Sequence, residues 1–162
     1  MVIQIIINPN LFNHLYSMKQ NNKIKDSKVE EIMSKNIISL NPKEPISRAI
    51  KIFEEHEIHH IPIVIMDKVV GIISQGDVLN FTGKHNRLDQ VKTFVLGHSE
   101  VDTNTSVEEI MASRPITISP DATIKEAVEQ LIQYRVNALP VVENSELKGI
   151  ITTHDILRLI TS

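Results

Sequence analysis

Apolar residues follow a regular order along the chain and predict a sequence of elements. Four of them at helical spacing over 46–53 predict an amphipathic helix, and a brief apolar strand over 37–40 precedes it. Two apolar runs, 61–66 and 69–73, are separated by two residues and predict a hairpin. A second helix with apolar residues follows the hairpin. The pattern therefore predicts a β-α-β-β-α unit.

The same pattern occurs twice. Val29–Met33 returns unchanged as Val107–Met111, and this offset of 78 residues holds without a gap far downstream. The two copies span 27–81 and 105–162. A unit of about 55 residues buries too little apolar surface to be very stable alone. We therefore expect an α/β (α+β) fold in which the copies pack sheet to sheet with pseudo-two-fold symmetry. Further matched pairs are Ile38 and Ile116, Pro62 and Pro140, Gly71 and Gly149, and Asp77 and Asp155.

Helix starts can also be located in both copies. Ser27 and Thr105 each have a glutamate three residues later, which predicts a capping box that opens a short leading helix. The long helix of the second copy has a good N-cap in Thr123, whereas Pro45 is a weaker start for the helix of the first copy.

Two segments lie outside the copies. Residues 1–26 form an N-terminal extension that begins with an apolar stretch, for which we expect an extra strand or disorder; Met18 is an alternative start. The stretch lacks the basic beginning and small-residue cleavage site of a signal peptide. Residues 82–104 are polar and mixed in charge, but three apolar residues would share one helix face, so we expect an ordered connector.

Composition narrows the functional classes. The chain has 162 residues, of which 41% are hydrophobic, which is enough for a folded core. A net charge of -3 gives no general attraction to nucleic acid or to an anionic membrane. The lack of cysteine excludes disulfides and thiolate catalysis, and it fits a reducing compartment, so we expect a cytoplasmic location. No apolar run approaches the roughly 18 residues needed to cross a bilayer.

A hydroxyl and a carboxylate recur three residues apart after each hairpin. The pairs are Ser74 with Asp77, and Thr152 with Asp155. Their spacing suits a capping box at the start of the last helix. The same geometry also suits a ligand, because a helix N-terminus offers N–H groups and a hydroxyl to phosphate, and a carboxylate accepts hydrogen bonds from vicinal ribose hydroxyls. Both interpretations can hold at once.

These motifs, duplicated in register, resemble a tandem pair of CBS domains, often called a Bateman module. The resemblance covers nearly everything from residue 27 to residue 160. The resemblance rests on two motifs in each copy. The first is Ile61–Val64 or Leu139–Val142, and the second, Gly71–Asp77 or Gly149–Asp155, begins nine residues after the proline of the first. The resemblance implies two β-α-β-β-α repeats that bind AMP, ADP, ATP or S-adenosylmethionine in clefts between them, as sensors and often as disc-like homodimers.

The resemblance also implies a set of ligand-binding residues. Asp77 and Asp155 would bind ribose, and Ser74 and Thr152 would face phosphate. The other residues that it places at the clefts are His59, His60, Ile61, Pro62, Asn137, Ala138, Leu139, Pro140, Ile38 and Ile116. The cationic candidates near phosphate are Lys35, Arg114, Arg135 and Lys148.

Three histidines lie close together in the first copy. His59 or His60 could donate a hydrogen bond to phosphate, with charge when protonated, or could be a solvated residue at a helix-to-strand corner. Together with His56 they could suggest a metal site, but no cysteine or acidic motif accompanies them and the second copy has no histidine at these positions. We therefore expect no metal.

We expect a regulatory adenine-nucleotide-binding module that passes its occupancy to an unidentified effector protein. The alternatives are a protein–protein adaptor with vestigial clefts, and a binder of another adenosyl ligand such as S-adenosylmethionine. We expect a homodimer, no membrane or nucleic-acid partner and no cofactor beyond the regulatory nucleotide. An enzyme is not expected, because the P-loop, G-x-G-x-x-G, G-x-S-x-G and H-E-x-x-H motifs are missing from the sequence.

Overall fold

The computed structural model describes residues 26–83 and 105–161, so the predictions for 1–25 and 84–104 lie outside the described residues. The first copy contains helix α1 (Val29–Ile32), helix α2 (Ile46–Glu55), strands β1 (His60–Ile65) and β2 (Lys68–Ser74), and helix α3 (Gln75–Gly83). The second contains a 3₁₀ helix (Val107–Glu109), strand β3 (Ala112–Ser113), helix α4 (Ile124–Tyr134), strands β4 (Ala138–Glu143) and β5 (Glu146–Thr152), and helix α5 (Thr153–Thr161). The predicted mixed architecture with two repeats is confirmed.

Both long helices bury most of the face that the apolar spacing predicts. In α2, the predicted Ile50 and Phe53 are only partly buried against the core, and Ile52, which was not predicted, is buried. The buried residues are Ile46, Ala49 and Ile52 of α2, and Ile124, Ala127 and Leu131 of α4. Thr123 caps α4 as predicted, since its hydroxyl accepts a hydrogen bond from the backbone N–H of Glu126 at 3.2 Å. Pro45 supplies no such cap, and the Ile46 N–H donates instead to the carbonyl of Thr105 at 2.8 Å. The first N–H group of α2 therefore has its partner in the other copy.

The brief strand predicted before each long helix is reduced to a single bridge. Leu40 pairs in parallel with Ile63, and Ile118 pairs in the same way with Val141. Each bridge lies beside an irregularity in the hairpin, where the register of the strand pair shifts after Ile63 or Val141. A bulge disrupts the ladder locally, and the parallel pairing does not extend beyond one residue.

The two hydrophobic cores do not follow the two copies along the chain. Val29, from the leading helix of the first copy, is fully buried in the core of the second copy, where Ile32 and Met33 pack against it. Val107 is fully buried in the core of the first copy in the same way, with Ile110 and Met111 against it. The copies therefore exchange their leading segments.

Backbone hydrogen bonds repeat this exchange with pseudo-two-fold symmetry. The N–H of Val29 donates to the carbonyl of Ala122 at 2.8 Å, and the N–H of Val107 donates to the carbonyl of Glu44 at 2.9 Å. The N–H of Ile124 donates to the carbonyl of Ser27 at 2.9 Å, which mirrors the bond from Ile46 to Thr105. Each leading segment thus satisfies donors at the start of the opposite long helix, which would otherwise lack partners.

The exchanged segments also reach the opposite hairpin. Strand β3 joins the sheet of the first copy by pairing with β2, and Ser34 forms an equivalent bridge to Ile150 of β5. A glycine allows the close approach on each side, because a Cβ at Gly71 or Gly149 would overlap with the sulfur of Met111 or Met33, respectively. Strands β2 and β5 contact each other between the copies.

The predicted capping boxes of the leading segments are wrong by one residue. The N-caps are Lys28 and Ser106, and the backbone N–H of Lys28 donates to the Glu31 carboxylate at 3.2 Å. The carbonyls of Ser27 and Thr105 are engaged by the opposite long helices, so the helical turn starts one residue later. Within 26–83 and 105–161, no helix has the length and apolar character needed to cross a membrane.

Candidate functional site

Each last helix begins with a closed network between hydroxyl and carboxylate. In the first copy, the Ser74 N–H and hydroxyl both donate to Asp77 Oδ2, at 2.7 and 2.6 Å, and the Asp77 N–H donates back to the hydroxyl at 3.2 Å. Thr152 and Asp155 form the same three bonds at 2.8, 2.6 and 3.3 Å. The capping interpretation is confirmed in both copies. Because the cap uses only Oδ2, the other carboxylate oxygen takes no part in it.

The residues shortly before Pro62 and Pro140 are hydrogen-bonded to the start of the same helix. The Gln75 N–H donates to the carbonyl of His59 at 3.1 Å, and the Thr153 N–H donates to the carbonyl of Asn137 at 3.0 Å. These bonds and the cap occupy N–H groups at the helix start that the sequence pattern offers to a phosphate. The helix start therefore holds the carboxylate in place and leaves fewer N–H groups for an anion.

Of the three histidines in the first copy, His60 lies beside the start of this helix. It is the first residue of β1 and pairs with Ser74 across the hairpin, whereas His59 is exposed. Burial lowers the pKa of His60 below its usual value, the nearby His59 lowers it further, and the carboxylate of Asp77 opposes the change. In the second copy the buried side chain of Ala138 lies opposite Thr152.

Several of the residues implied by the family resemblance are core residues. The side chains of Ile61, Pro62, Leu139 and Pro140 are fully buried. In this structure they contribute packing, and their backbone frames the helix start. Ile38 and Ile116 are half-buried against the two cores, so part of each side chain faces outward.

One open depression of about 360 Å³ contains a motif carboxylate. We call it the Asp155 cleft. Its lining residues are Ile32 and Ser34 from the leading segment of the first copy, and Asp155, Arg158 and Leu159 from helix α5 of the second. The exchange of the leading segments is therefore what gives Asp155 a facing wall.

Ser34 and Arg158 line the cleft, but they are not among the site residues that the sequence predicts. The spacing of three between Asp155 and Arg158 could have indicated that both lie on one face of α5. Nothing in the sequence could have indicated Ser34, because it reaches the cleft only through the exchange. The cationic candidates chosen from sequence do not line this depression. Within the described parts of the chain, no cluster of three histidine or acidic side chains is placed to hold a metal ion.

The chain matches the family model of the CBS domain twice, over residues 29–83 and 107–162. The chain therefore belongs to the CBS-domain family, as a tandem pair. A CBS pair is a regulatory module and is not itself catalytic.

Similar proteins include enzymes and solved modules. The chain is 27% identical over 130 residues to inosine-5'-monophosphate dehydrogenase of Korarchaeum cryptofilum, covering 80% of this chain and 23% of that enzyme. It is 29% identical to the CBS domain pair of protein MJ0100, solved in complex with 5'-methylthioadenosine and S-adenosyl-L-methionine, with a TM-score of 0.64 and coverage of 83% of this chain and 99% of that one. CBSX2, solved in complex with AMP, shares the fold at 18% identity, with a TM-score of 0.66 and coverage of 83% and 96%. The chain spans less than half the length of the first curated relatives that it matches.

Proposed function

We propose that this CBS pair is a sensor that binds an adenine nucleotide and transmits its occupancy to a partner protein. The observation that carries the proposal is the Asp155 cleft, where a carboxylate held by its own cap faces an open depression between the copies. The complexes of the MJ0100 pair with two adenosyl ligands support an adenosine-containing ligand as the class. The nucleotide is our finer proposal within that class.

The chemistry of the cleft suits ribose. Asp155 is fixed by two hydrogen bonds to Oδ2, at 2.8 Å from the Thr152 N–H and 2.6 Å from its hydroxyl, so its orientation is preorganised before a ligand arrives. Oδ1 can then accept hydrogen bonds from vicinal hydroxyls, and bonds to a charged acceptor are the stronger kind. Asp77 is held in the same way and would serve a second site in the first copy.

The exchange of leading segments offers a route for the signal. A ligand in the Asp155 cleft would contact the leading segment of the first copy and the last helix of the second. Such a ligand favours the arrangement of the two copies that it binds better. The shift can be no larger than the difference in its affinity for the two arrangements.

Thermal unfolding with a panel of ligands tests the proposal. The probes are AMP, ADP, ATP, S-adenosylmethionine and NADH, each added to the purified chain and to Asp155→Asn. A nucleotide at about 100 times its Kd should stabilise the protein by roughly 2.7 kcal/mol, and the substitution should reduce that gain. A shift with S-adenosylmethionine alone would replace the nucleotide by an adenosyl ligand. No shift with any probe would favour an adaptor that acts through its surfaces.

A further inference from the structure

The turn of the first hairpin exposes two apolar side chains. Ile65 is 45% exposed, and Met66, the first residue of the turn, is 89% exposed. Met66 and Asp67 both have positive φ angles, 48° and 63°, as in a type I′ turn. This backbone conformation favours Gly, Asn and Asp over Met. Met66 therefore combines an unfavourable backbone conformation with an exposed apolar side chain. We call Ile65 and Met66 the apolar turn.

The second copy shows that the hairpin does not require these two residues. At the offset of 78 residues, Ile65 and Met66 correspond to Glu143 and Asn144, which are exposed. The second turn has the same geometry, with φ angles of 49° at Asn144 and 69° at Ser145. Because the same turn forms with polar residues, its apolar counterpart indicates contact with another surface.

The N-terminal extension enters the described structure near the turn of the second hairpin. Ile118 pairs in parallel with Val141, so residues 119–123 continue in the direction of that turn. The next residue, Ile124, donates its N–H to the carbonyl of Ser27 at 2.9 Å. The extension therefore joins the fold at the turn end of the second copy.

The two turns adjoin each other, which brings the apolar turn within reach of the extension. The N–H of Leu147, just after the second turn, donates to the carbonyl of Asp67 at 2.9 Å. Ten residues, 17–26, separate residues 1–16 from Ser27, and ten residues of extended chain span up to about 35 Å. Residues 1–16 can therefore reach the apolar turn.

The extension begins with apolar residues and continues with cationic ones. Its lysines follow the apolar part, at Lys19, Lys23 and Lys25, and residues 1–25 contain no aspartate or glutamate. The segment therefore offers an apolar surface and a positive charge together. The apolar residues are Val2, Ile3, Ile5, Ile6, Ile7, Leu11, Phe12, Leu15 and Tyr16.

The ends of the two hairpins carry more carboxylates than ammonium groups. The acidic residues are Asp67, Glu143 and Glu146, against Lys68 and Lys148. Glu146 accepts a hydrogen bond from Lys148 at 2.7 Å, which is the main cause of the raised pKa of Lys148. Glu143 and Asp67 raise it further by smaller amounts, so carboxylates of both copies lie near this ammonium group. Their surplus favours a cationic segment beside the turns.

We propose that the apolar part of the N-terminal extension packs on the apolar turn of the same chain. The contact would remove apolar surface of both segments from water, and the lysines that follow would face the carboxylates of the hairpin ends. A contact within the chain is favoured over one between chains, because the extension is attached at the same end of the molecule and its effective concentration there is high. The contact involves neither the Asp155 cleft nor a ligand, so its test is independent of the proposed function.

A cross-link between two introduced cysteines tests the contact in the full chain. The chain has no cysteine of its own, so a short bismaleimide joins only the introduced pair. Ile5→Cys should be joined to Met66→Cys within one chain about tenfold faster than to Ile132→Cys. Ile132 is the matched control, since it is an apolar residue that is 70% exposed on α4. Equal rates, or a cross-link that forms only between two chains, would overturn the proposal.

Hydrogen exchange measures the same contact without a cross-linker. The double variant Ile65→Glu, Met66→Asn gives the first turn the residues of the second, so the hairpin should still fold, and exchange over residues 2–16 should rise about tenfold. The control Ile132→Glu introduces the residue that the first copy has at that position, Glu54, and should leave the exchange unchanged. Thermal unfolding checks that both variants are folded. Unchanged exchange over residues 2–16 in the double variant would show that the extension does not pack on the apolar turn.

Discussion

Asp155 serves the protein in two ways that mutation can separate. Its carboxylate closes the cap of α5, and in our proposal it also binds ribose. Asp155→Ala should destabilise the fold by about 1 kcal/mol through the lost cap, and it should weaken nucleotide binding by roughly 1.5–3 kcal/mol. Calorimetry and thermal unfolding of the same preparation measure both quantities.

Glu126 provides the matched control for this substitution. It closes a capping box on α4 with Thr123, at 2.7 Å from the Thr123 N–H, and it does not line the cleft. Glu126→Ala should therefore lower stability and leave nucleotide affinity unchanged. The conservative variant Asp155→Asn keeps the shape and one acceptor. Unchanged affinity in both Asp155 variants would contradict the ribose assignment at this copy.

His60 should make the stability of the protein depend on pH. Burial, and to a smaller extent His59, lower its pKa in the folded state below the unfolded value of about 6.5. The unfolded chain therefore binds the proton more readily, and stability should fall as the pH drops through about 6.5 toward the lower folded pKa. Urea unfolding from pH 8 to pH 5.5 measures this, and His60→Gln should lose less stability over that range. A variant that follows the wild type would show that His60 does not titrate differently on folding.

A phosphate beside His60 should raise its pKa, in opposition to the effect of burial. An anion stabilises the imidazolium and raises its pKa, so binding at the first copy should strengthen from pH 8 to pH 6. The second copy has Asn137 and Ala138 in place of the histidine pair, so its site should change less. Titration of AMP at both pH values, repeated with His59→Ala and His60→Ala, identifies the responsible residue. Equal pH dependence in all three proteins would remove histidine from the phosphate site.

At the scale of elements, the leading segments tie each copy to the core of the other. The burial of Val29 is complete, and the residues around it belong to the second copy. The local sequence around Val29 is repeated identically at Val107, so a leading segment could equally well pack on either core. The hydrogen bonds from Val29 to Ala122 and from Val107 to Glu44 show that each chooses the opposite one.

Truncating one leading side chain should therefore loosen the other copy. Val29→Ala removes buried methyl groups and should destabilise the protein by about 2 kcal/mol. Hydrogen exchange should increase mainly in β4 and β5 of the second copy, and Val107→Ala should increase it mainly in β1 and β2 of the first. Exchange that rises in the copy containing the mutation would contradict the exchanged packing.

At the scale of the whole molecule, the two copies are joined by more than their leading segments. The N–H of Leu147 donates to the carbonyl of Asp67 at 2.9 Å, which links β5 to the turn of the first hairpin. Strands β2 and β5 are in contact. The last helices bury Val78 and Ile156 but leave Leu79 and Leu157 exposed at 51% and 57%.

We expect the exposed leucines of the two last helices to pack against a second copy of the chain. Leu79 and Leu157 occupy equivalent positions on α3 and α5, and we expect these helices to form the interface of a homodimer. Light scattering should give twice the chain mass of 18.3 kDa at micromolar concentration, and Leu157→Glu should shift it toward one chain. Met66→Glu is the control, since Met66 is 89% exposed and lies in the turn between β1 and β2. A mass of one chain across the micromolar range would refute the prediction.

Much of the architecture could be predicted because its causes are local. The capping boxes at Ser74 and Thr152 close over three residues, and the faces of α2 and α4 follow from apolar spacing within the helix. The identical offset between the copies then supplies the pseudo-two-fold relation. None of these features needs knowledge of which distant segments meet.

The facing walls of the site come from contacts between segments that are far apart in the chain. Ser34 reaches the Asp155 cleft because the leading segment crosses to the other copy. The repeat, most of its helices and strands, and the position of each motif carboxylate follow from the residues alone. The sequence alone could not determine the exchange, because Val29–Met33 and Val107–Met111 are identical and carry no preference for one core over the other. The exchange appears only in the tertiary contacts, where the N–H groups of Ile46 and Ile124 each find an acceptor in the leading segment of the other copy.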